Sequence, residues 1–307
     1  MEEKRIEEKY GVRLQYYYPN RLTDNLEEFL FATDETFDIL VLFPVKIPLY
    51  AEKDLLLPLD TYTKKNHRLD DIIPVYRKLY MQYGEHDYGM VFDGDSHLLF
   101  YRKDLFEKYN QAYRLKFGQD LTPPNTWEAY DRIARFLTLD TDQDGNIDIY
   151  GTAILSNDGM RYIWFVERYL SMGGSYFDED MHPLIDQEIG IQALQDLIDL
   201  LDSGVTPPNA MYDWVDLNNA FLQGKLAMVI QWSDTARFSY DQSTWYSKVK
   251  NKVDWALVPN GGGDYARGGT WIGRVLSISK NSQYPDKAWQ VIQHLTSKKV
   301  TLEAVNS

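Results

Sequence analysis

The 307 residues are enough for one large domain or for two lobes, and an apolar content of 44% is enough for a substantial core. The formal net charge of −14, with no Lys/Arg cluster to interrupt it, argues against a nucleic-acid partner because such a surface repels phosphate. Cysteine is absent, which excludes disulfides, thiolate zinc sites and a cysteine nucleophile.

The chain opens with MEEKRIEEKYG, which predicts an amphipathic helix and not a secretion signal, because no apolar region follows the charged start. Any secretion signal is therefore expected to lie outside this sequence. No run of about 18 apolar residues is present for a membrane-spanning helix. Residues 37–43 (FDILVLF) form a short continuous apolar run, which predicts a strand buried on both faces of a largely parallel sheet.

Helical periodicity follows farther along the chain. Residues 127–138 predict an amphipathic helix after two prolines, with Trp127, Tyr130, Ala134 and Leu137 on its apolar stripe. Residues 190–203 predict another, which Gly204 would cap, with Ile191, Leu194, Ile198 and Leu201 on its stripe. Strand candidates alternate with these helices and indicate an α/β architecture: residues 88–92, 98–101, 150–155, 226–232, 253–258 and 275–279.

Several segments occur in a characteristic order along the chain: LLFYRKDLF (98–106), PPNTWE (123–128), DGNIDIYG (144–151), Gly173-Gly174, AFLQGKLAM (220–228), GGTW (268–271), SISK (277–280) and AWQVIQHLTS (288–297). In this order and spacing they closely resemble the family 1 extracellular solute-binding proteins of ABC importers, the maltose-binding type. The resemblance implies a two-lobed α/β fold of the periplasmic-binding-protein type II class, with a ligand cleft between lobes that close by a hinge.

The lobe boundaries follow from the same resemblance. Residues 1–102 plus 259–307 are expected to form lobe 1, and residues 103–258 to form lobe 2. Compared with the family, the chain is expected to start after the first strand and to stop before the C-terminal helices. Lobe 1 is therefore expected to be incomplete at both ends.

The resemblance also implies ligand contacts. Asp95, in the segment DGDSH, matches the family's acidic contact, and its carboxylate could accept two hydroxyl hydrogen bonds. Trp232 and Trp271 match aromatic platforms for a sugar ring. The remaining candidate contacts are Gly269, Phe43, Lys46, Asp93 and Trp164. The structural alternatives are an Asx turn at the DGD loop, core packing for the tryptophans and His97, and an ordinary surface lysine.

Residues 140–148 match the first nine positions of a calcium loop. The candidate metal ligands are Asp140, Asp142, Asp144, Asn146 and Asp148, and Gly145 occupies the turn position. Gly151 stands where the bidentate glutamate belongs, so any calcium is expected to be structural and of low affinity. The alternative is an acidic, turn-rich loop. No cofactor is required by any motif.

The sequence has no GxSxG, HExxH or P-loop motif, so no catalytic residues are predicted. The resemblance implies a monomeric extracytoplasmic protein, periplasmic or lipid-anchored at the cell surface. It would pass a small polar ligand, a mono- or oligosaccharide, to the permease of an ABC importer. Two alternatives stay open: a carbohydrate-active enzyme, because 46 acidic residues offer many carboxylate pairs, and a ligand sensor that docks on a receptor.

Overall fold

A computed structural model describes residues 2–17, 37–64, 67–156, 160–208, 210–264 and 267–305. The first half of the chain contains α1 (Glu2–Tyr10), β1 (Ile39–Leu42), α2 (Ile47–Glu52), α3 (Asp60–Thr63), α4 (Pro74–Tyr76), β2 (Gln82–Tyr83), β3 (His86–Asp87), β4 (Met90–Arg102), α5 (Lys103–Phe117) and α6 (Trp127–Phe136). The second half contains α7 (Tyr162–Ser171), α8 (Glu188–Leu200), α9 (Trp214–Leu222), β5 (Met228–Trp232), α10 (Thr235–Tyr240), β6 (Val253–Ala256), β7 (Trp271–Ile278), α11 (Pro285–Leu295) and α12 (Lys298–Val305). Within these residues no helix is long and apolar enough to cross a membrane.

The chain divides into two compact units. Unit 1 comprises Met1–Gly94 and Ile272–Ser307, and unit 2 comprises Asp95–Trp271. These limits lie inside β4 and at the start of β7, whereas the resemblance puts them after residue 102 and before residue 259. The lobe boundaries therefore stay a prediction.

Unit 1 contains β1 and most of β7, which pair antiparallel, with Ile39 opposite Ile278 and Leu42 opposite Val275. Its core is formed by residues of the strands and of α11: Leu40, Leu42, Leu276, Ile278, Trp289 and Ile292. The prediction of a strand buried on both faces of a largely parallel sheet is therefore wrong for residues 37–43. The β1 ladder is antiparallel, and Val41 is 56% exposed while Leu40 is buried. A short apolar run does not by itself reveal whether one or both of its faces are covered.

Unit 2 contains the longer part of β4, which pairs antiparallel with β5 and β6. Helix α6 begins where the Thr126 hydroxyl accepts the Ala129 backbone N–H at 3.3 Å. The whole predicted α6 stripe is buried in the core of this unit: Trp127, Tyr130, Ala134 and Leu137. The sequence prediction for this helix is confirmed, with its end two residues earlier than expected.

Residues 150–155 were predicted as a strand, and this is wrong. Residues 151–155 are buried, but their backbone bonds go to two separate segments. Tyr150 exchanges hydrogen bonds with Lys225 and Ala227, whereas the Thr152 N–H donates to Val205. The apolar composition correctly indicated burial, but a continuous ladder requires one extended partner, and tertiary packing supplies two partial ones.

Helix α8 begins close to the predicted position, but the predicted core stripe is wrong. Ile191, Leu194 and Ile198 are 62%, 47% and 41% exposed. The residues that the structure buries are smaller on average: Gly190, Ala193, Leu197 and Leu200. At Gly190 an ideal Cβ would lie 1.8 Å from the Ile185 carbonyl oxygen, so this face requires a very close backbone approach. Gly204 has the left-handed φ of 76° expected of a helix-ending glycine.

Candidate functional site

A cluster of polar and aromatic side chains forms where β4 meets β5 in unit 2. Asp95 and His97 are two residues apart on β4, so strand alternation places them on the same face of the sheet. His97 lies opposite Trp232 in the β4–β5 register, and the two ring centroids are 3.9 Å apart. Both residues are buried, with 3% and 4% exposure.

Glu167 of α7 joins this cluster from a distant part of the chain. Its Oε1 lies 2.7 Å from His97 Nδ1 and also accepts the Thr270 backbone N–H at 3.0 Å. The His97 backbone N–H in turn donates to the Thr270 carbonyl oxygen at 3.0 Å. One carboxylate therefore links the strand, the helix and the loop before β7.

Three buried side-chain atoms in this cluster have no protein hydrogen-bond partner within the described ranges: His97 Nε2, Glu167 Oε2 and Trp164 Nε1. The Trp164 ring lies 5.2 Å from the His97 ring, centroid to centroid. Because Nδ1 faces the carboxylate and carries the hydrogen, Nε2 of a neutral imidazole is an acceptor. The cluster thus offers one donor and two acceptors, a set that hydroxyl groups complement because they both donate and accept.

Trp271 is the exposed aromatic residue next to this network. It is 46% exposed, in contrast to buried Trp232. An ideal Cβ at Gly269 would lie 3.6 Å from the Trp271 indole nitrogen, so a methyl group added at this glycine would touch the ring. The predicted residues Trp164, Trp232, Gly269 and Trp271 all belong to unit 2. Their roles as ligand contacts stay predictions.

Asp95 is held by the end of β5. Its Oδ1 accepts the Ser96 and Ser233 backbone N–H groups at 2.9 and 2.8 Å, and the Ser233 hydroxyl as well. The hydrogen bonds of the described residues place no donor on Oδ2. The Asx turn named as the structural alternative is not formed, because Asp95 lies inside β4 and its only local bond among the described residues is from the next residue's N–H. The carboxylate keeps one acceptor oxygen that a ligand could use.

The other predicted contacts form a separate group in unit 1. Arg274 Nη1 lies 2.8 Å from Asp93 Oδ2, and the Arg274 backbone N–H donates to Asp93 Oδ1 at 2.5 Å. The same guanidinium lies 5.7 Å from the centre of the Phe43 ring. Lys46 is exposed at the end of a short 3₁₀ turn, Pro44–Lys46. Asp93 is therefore paired with a cation, and a ligand at this carboxylate would share it with Arg274.

The calcium-like loop keeps three of its candidate carboxylates close together. One oxygen each from Asp140, Asp142 and Asp148 lies within 4.8 Å of the others. Hydrogen bonds from the Thr141 hydroxyl and backbone N–H lower the pKa of Asp148, so this carboxylate is ionised over a wide pH range. Asp144 accepts bonds from the Asn146 backbone and side chain. These contacts are also those of an ordinary acidic turn, so metal binding stays a prediction.

Sequence reasoning missed Glu167, Ser233 and Arg274. Glu167 carried a usable signal, because an acidic residue three positions after Trp164 lies on the buried face of a helix, where a charge requires a partner. Ser233 and Arg274 carried none. Their partners lie 138 and 181 residues away in the chain.

Comparison with known proteins gives a consistent result. The family model described as bacterial extracellular solute-binding protein matches residues 7–301. A Sinorhizobium fredii protein named "Probable amino-acid ABC transporter periplasmic-binding protein" is 24% identical over 157 residues, which is 50% of this chain and 34% of that protein. The chain therefore spans about a third of the length of this curated relative.

Two solved structures illustrate the structural likeness. The ABC transporter solute-binding protein of Agrobacterium radiobacter, in complex with ribitol, is 26% identical with a TM-score of 0.83, over 98% of this chain and 73% of that one. Maltose-bound MalE3 of T. maritima is 25% identical with a TM-score of 0.81, over 98% and 73% of the two chains. The α/β fold predicted from the sequence is that of the solute-binding proteins.

Proposed function

The chain belongs to the bacterial extracellular solute-binding proteins, and from that membership we propose that it captures a sugar or polyol for the permease of an ABC importer. The observation that supports a hydroxylated ligand is the cluster of unit 2. Its buried donor and acceptors, on Trp164, His97 and Glu167, complement hydroxyl groups, and the neighbouring Trp271 presents an exposed aromatic face for C–H groups. Ribitol and maltose, carried by the two similar structures, are ligands of this chemistry.

The ligand itself is best identified from the protein as it is produced. Native mass spectrometry after gentle purification should show a bound mass that matches a sugar or polyol. Isothermal titration calorimetry with ribitol and maltose then measures affinity, with glutamate as the comparator because one relative carries an amino-acid transporter name. Binding of glutamate with no response to either hydroxylated probe would overturn the ligand class and leave the family membership intact.

Binding without turnover distinguishes this function from the enzyme alternative. The described part of the chain shows a histidine paired to a carboxylate, but the sequence contains no recognised nucleophile motif. Maltose incubated with the protein for a day should be recovered unchanged by chromatography. Release of glucose would favour a glycosidase. The sensor alternative makes the same binding prediction and differs in the membrane partner.

The location and the mode of binding are part of the proposal. The protein acts outside the cytoplasm, as the family description implies. Docking on the membrane permease as a monomer is proposed. Hinged closure of two lobes, residues 1–102 plus 259–307 and residues 103–258, stays a prediction. Small-angle X-ray scattering tests it, because a bound ligand should reduce the radius of gyration.

The acidic loop is proposed as a weak structural calcium site, as the motif predicts. About 5 mM Ca²⁺ should raise the melting temperature of the wild-type protein, and the same concentration of Mg²⁺ should not. D142N is the matched control because its amide oxygen can still accept the Asp144 backbone N–H, which lies 3.2 Å from Oδ1. Equal shifts in both proteins would indicate that the loop is only a turn.

A further inference from the structure

The peptide groups on both sides of Thr270 are held by buried partners. Its N–H donates to Glu167 Oε1 at 3.0 Å, and its C=O accepts the His97 backbone N–H at 3.0 Å. The side chains of Glu167 and His97 are 1% and 0% exposed, so bulk water does not compete for either hydrogen bond. The residue that precedes Trp271 is therefore fixed at its N–H and its C=O.

The glycines of the same loop show how close the support is. An ideal Cβ at Gly268 would lie 2.3 Å from the Glu167 carbonyl oxygen, which no real side chain could tolerate. Gly269 is packed more loosely: an ideal Cβ there would lie 3.6 Å from Trp271 Nε1, so an added methyl group would only touch the ring. The backbone of α7 thus packs directly against the start of the loop, and the two Thr270 hydrogen bonds hold the backbone from which the indole extends.

We propose that the buried His97–Glu167 pair is a positioning pair: by holding the Thr270 backbone, it fixes the orientation of the half-exposed Trp271 ring. The consequence for affinity rests on the proposed function, in which Trp271 covers one face of a sugar or polyol. An aromatic ring that is already oriented loses less conformational entropy on binding than one that must be ordered. The affinity gain then comes from preorganisation, although Glu167 need not touch the ligand.

The pair can hold the loop in either protonation state of the histidine. Nδ1 carries a hydrogen in the imidazolium and in the neutral tautomer that Glu167 selects, so the bond to the carboxylate persists in both. The groups that face the imidazole are Glu167 and the rings of Trp232 and Trp164. The positioning of the loop therefore depends on packing and hydrogen bonds, and does not depend on the charge of the histidine.

Glu167→Met and Glu167→Gln form a matched pair of variants. Both keep the length of the side chain, but Met removes the oxygen acceptor whereas Gln retains one for Thr270. D131N is the control for general damage to α7, because Asp131 of α6 pairs at 2.5 Å with buried Arg168, the residue after Glu167 on α7. It should lower stability without affecting the loop.

The readout is ¹⁹F NMR of protein labelled with 5-fluorotryptophan, in which W271F identifies the Trp271 resonance. For Trp271, the wild type should give one narrow ¹⁹F line and E167M a broadened or divided line. In E167Q and D131N the Trp271 line should stay close to that of the wild type. This experiment needs no ligand, so it tests the positioning even if the proposed function fails. An unchanged line in E167M, or equal broadening in D131N, would overturn the proposal.

The wild-type protein supplies a second measurement in case E167M does not fold. The Thr270 amide should exchange with deuterium as slowly as that of Leu99, which lies inside β4. Exchange at the rate of an exposed loop would contradict the proposal.

Calorimetry with maltose and ribitol completes the test. In E167M the affinity for whichever probe binds the wild type should fall about threefold to tenfold, which is the range for ordering one large side chain, and E167Q should restore most of it. If the wild type binds neither probe, the proposed ligand class is wrong, and the NMR result still decides the role of the pair. If E167M binds as tightly as the wild type while its Trp271 line is broad, the link from orientation to affinity is wrong.

Discussion

Replacing Trp271 by alanine should weaken ligand binding more than any other single change in unit 2. Trp271 is 46% exposed, and 46% of about 250 Å² leaves roughly 115 Å² of the residue's surface for a ligand to cover. At about 25 cal/mol per Å², covering half to all of this area contributes about 1.5 to 3 kcal/mol. The affinity should therefore fall by roughly tenfold to a hundredfold.

Trp232 is the comparison that separates binding from packing. It is 4% exposed and lies against the His97 ring, so Trp232→Ala should cost about 3 to 5 kcal/mol of unfolding free energy. Trp271→Ala removes a residue that is only about half buried and should cost less stability. The two variants are expected to rank in opposite order for stability and for affinity.

The assay combines urea unfolding with calorimetric titration of the probe that binds the wild type, maltose or ribitol, at a temperature where every variant is folded. Trp232→Phe replaces the alanine variant if the latter does not fold. The reasoning fails if Trp271→Ala lowers the unfolding free energy sharply and leaves the dissociation constant unchanged. Trp271 would then be a structural residue, and the proposed site would be wrong at its most important position.

Three further predictions concern Asp95, the two glycines before Thr270, and the pH dependence at Asp241. Asp95→Asn should weaken calorimetric affinity at nearly unchanged stability, because the amide keeps the Oδ1 acceptor for Ser233 but replaces the ionised Oδ2 by a donor. Unchanged affinity would show that Asp95 serves only to hold Ser233 at the end of β5. Gly268→Ala should lower the unfolding free energy by about 1 to 3 kcal/mol, because an ideal Cβ there would lie 2.3 Å from a carbonyl oxygen. Gly269→Ala should lower it by no more than about 0.5 kcal/mol, because an ideal Cβ there would meet nothing closer than 3.6 Å. Hydrogen bonds from the backbone and hydroxyl of Ser243 lower the pKa of Asp241 to about 2. This carboxylate therefore stabilises the fold at pH values above its unfolded pKa, and the contribution is lost as the pH falls toward 2. An NMR titration of the carboxyl carbon that gives an ordinary pKa near 4 would contradict this.

Local sequence patterns determined the elements whose partners are nearby or whose burial is unambiguous. The stripe of α6 is a clear case: Trp127, Tyr130, Ala134 and Leu137 recur at helical spacing, and all four are buried. The ordered segments from LLFYRKDLF to AWQVIQHLTS were sufficient for the family, because many weak matches in one order are improbable by chance. Gly204 marked the end of a helix because few other residues adopt its left-handed φ.

Tertiary structure decided which of two apolar faces is covered and which distant residues meet. Helix α8 carries apolar residues on both sides, and the structure buries the face with Gly190, Ala193, Leu197 and Leu200, which the apolar periodicity did not identify. Glu167 meets His97 and Thr270 across 70 and 103 residues of chain. Periodicity records where apolar side chains lie along one element, but a hydrogen bond between distant residues depends on how separate elements pack, and no local pattern encodes that arrangement.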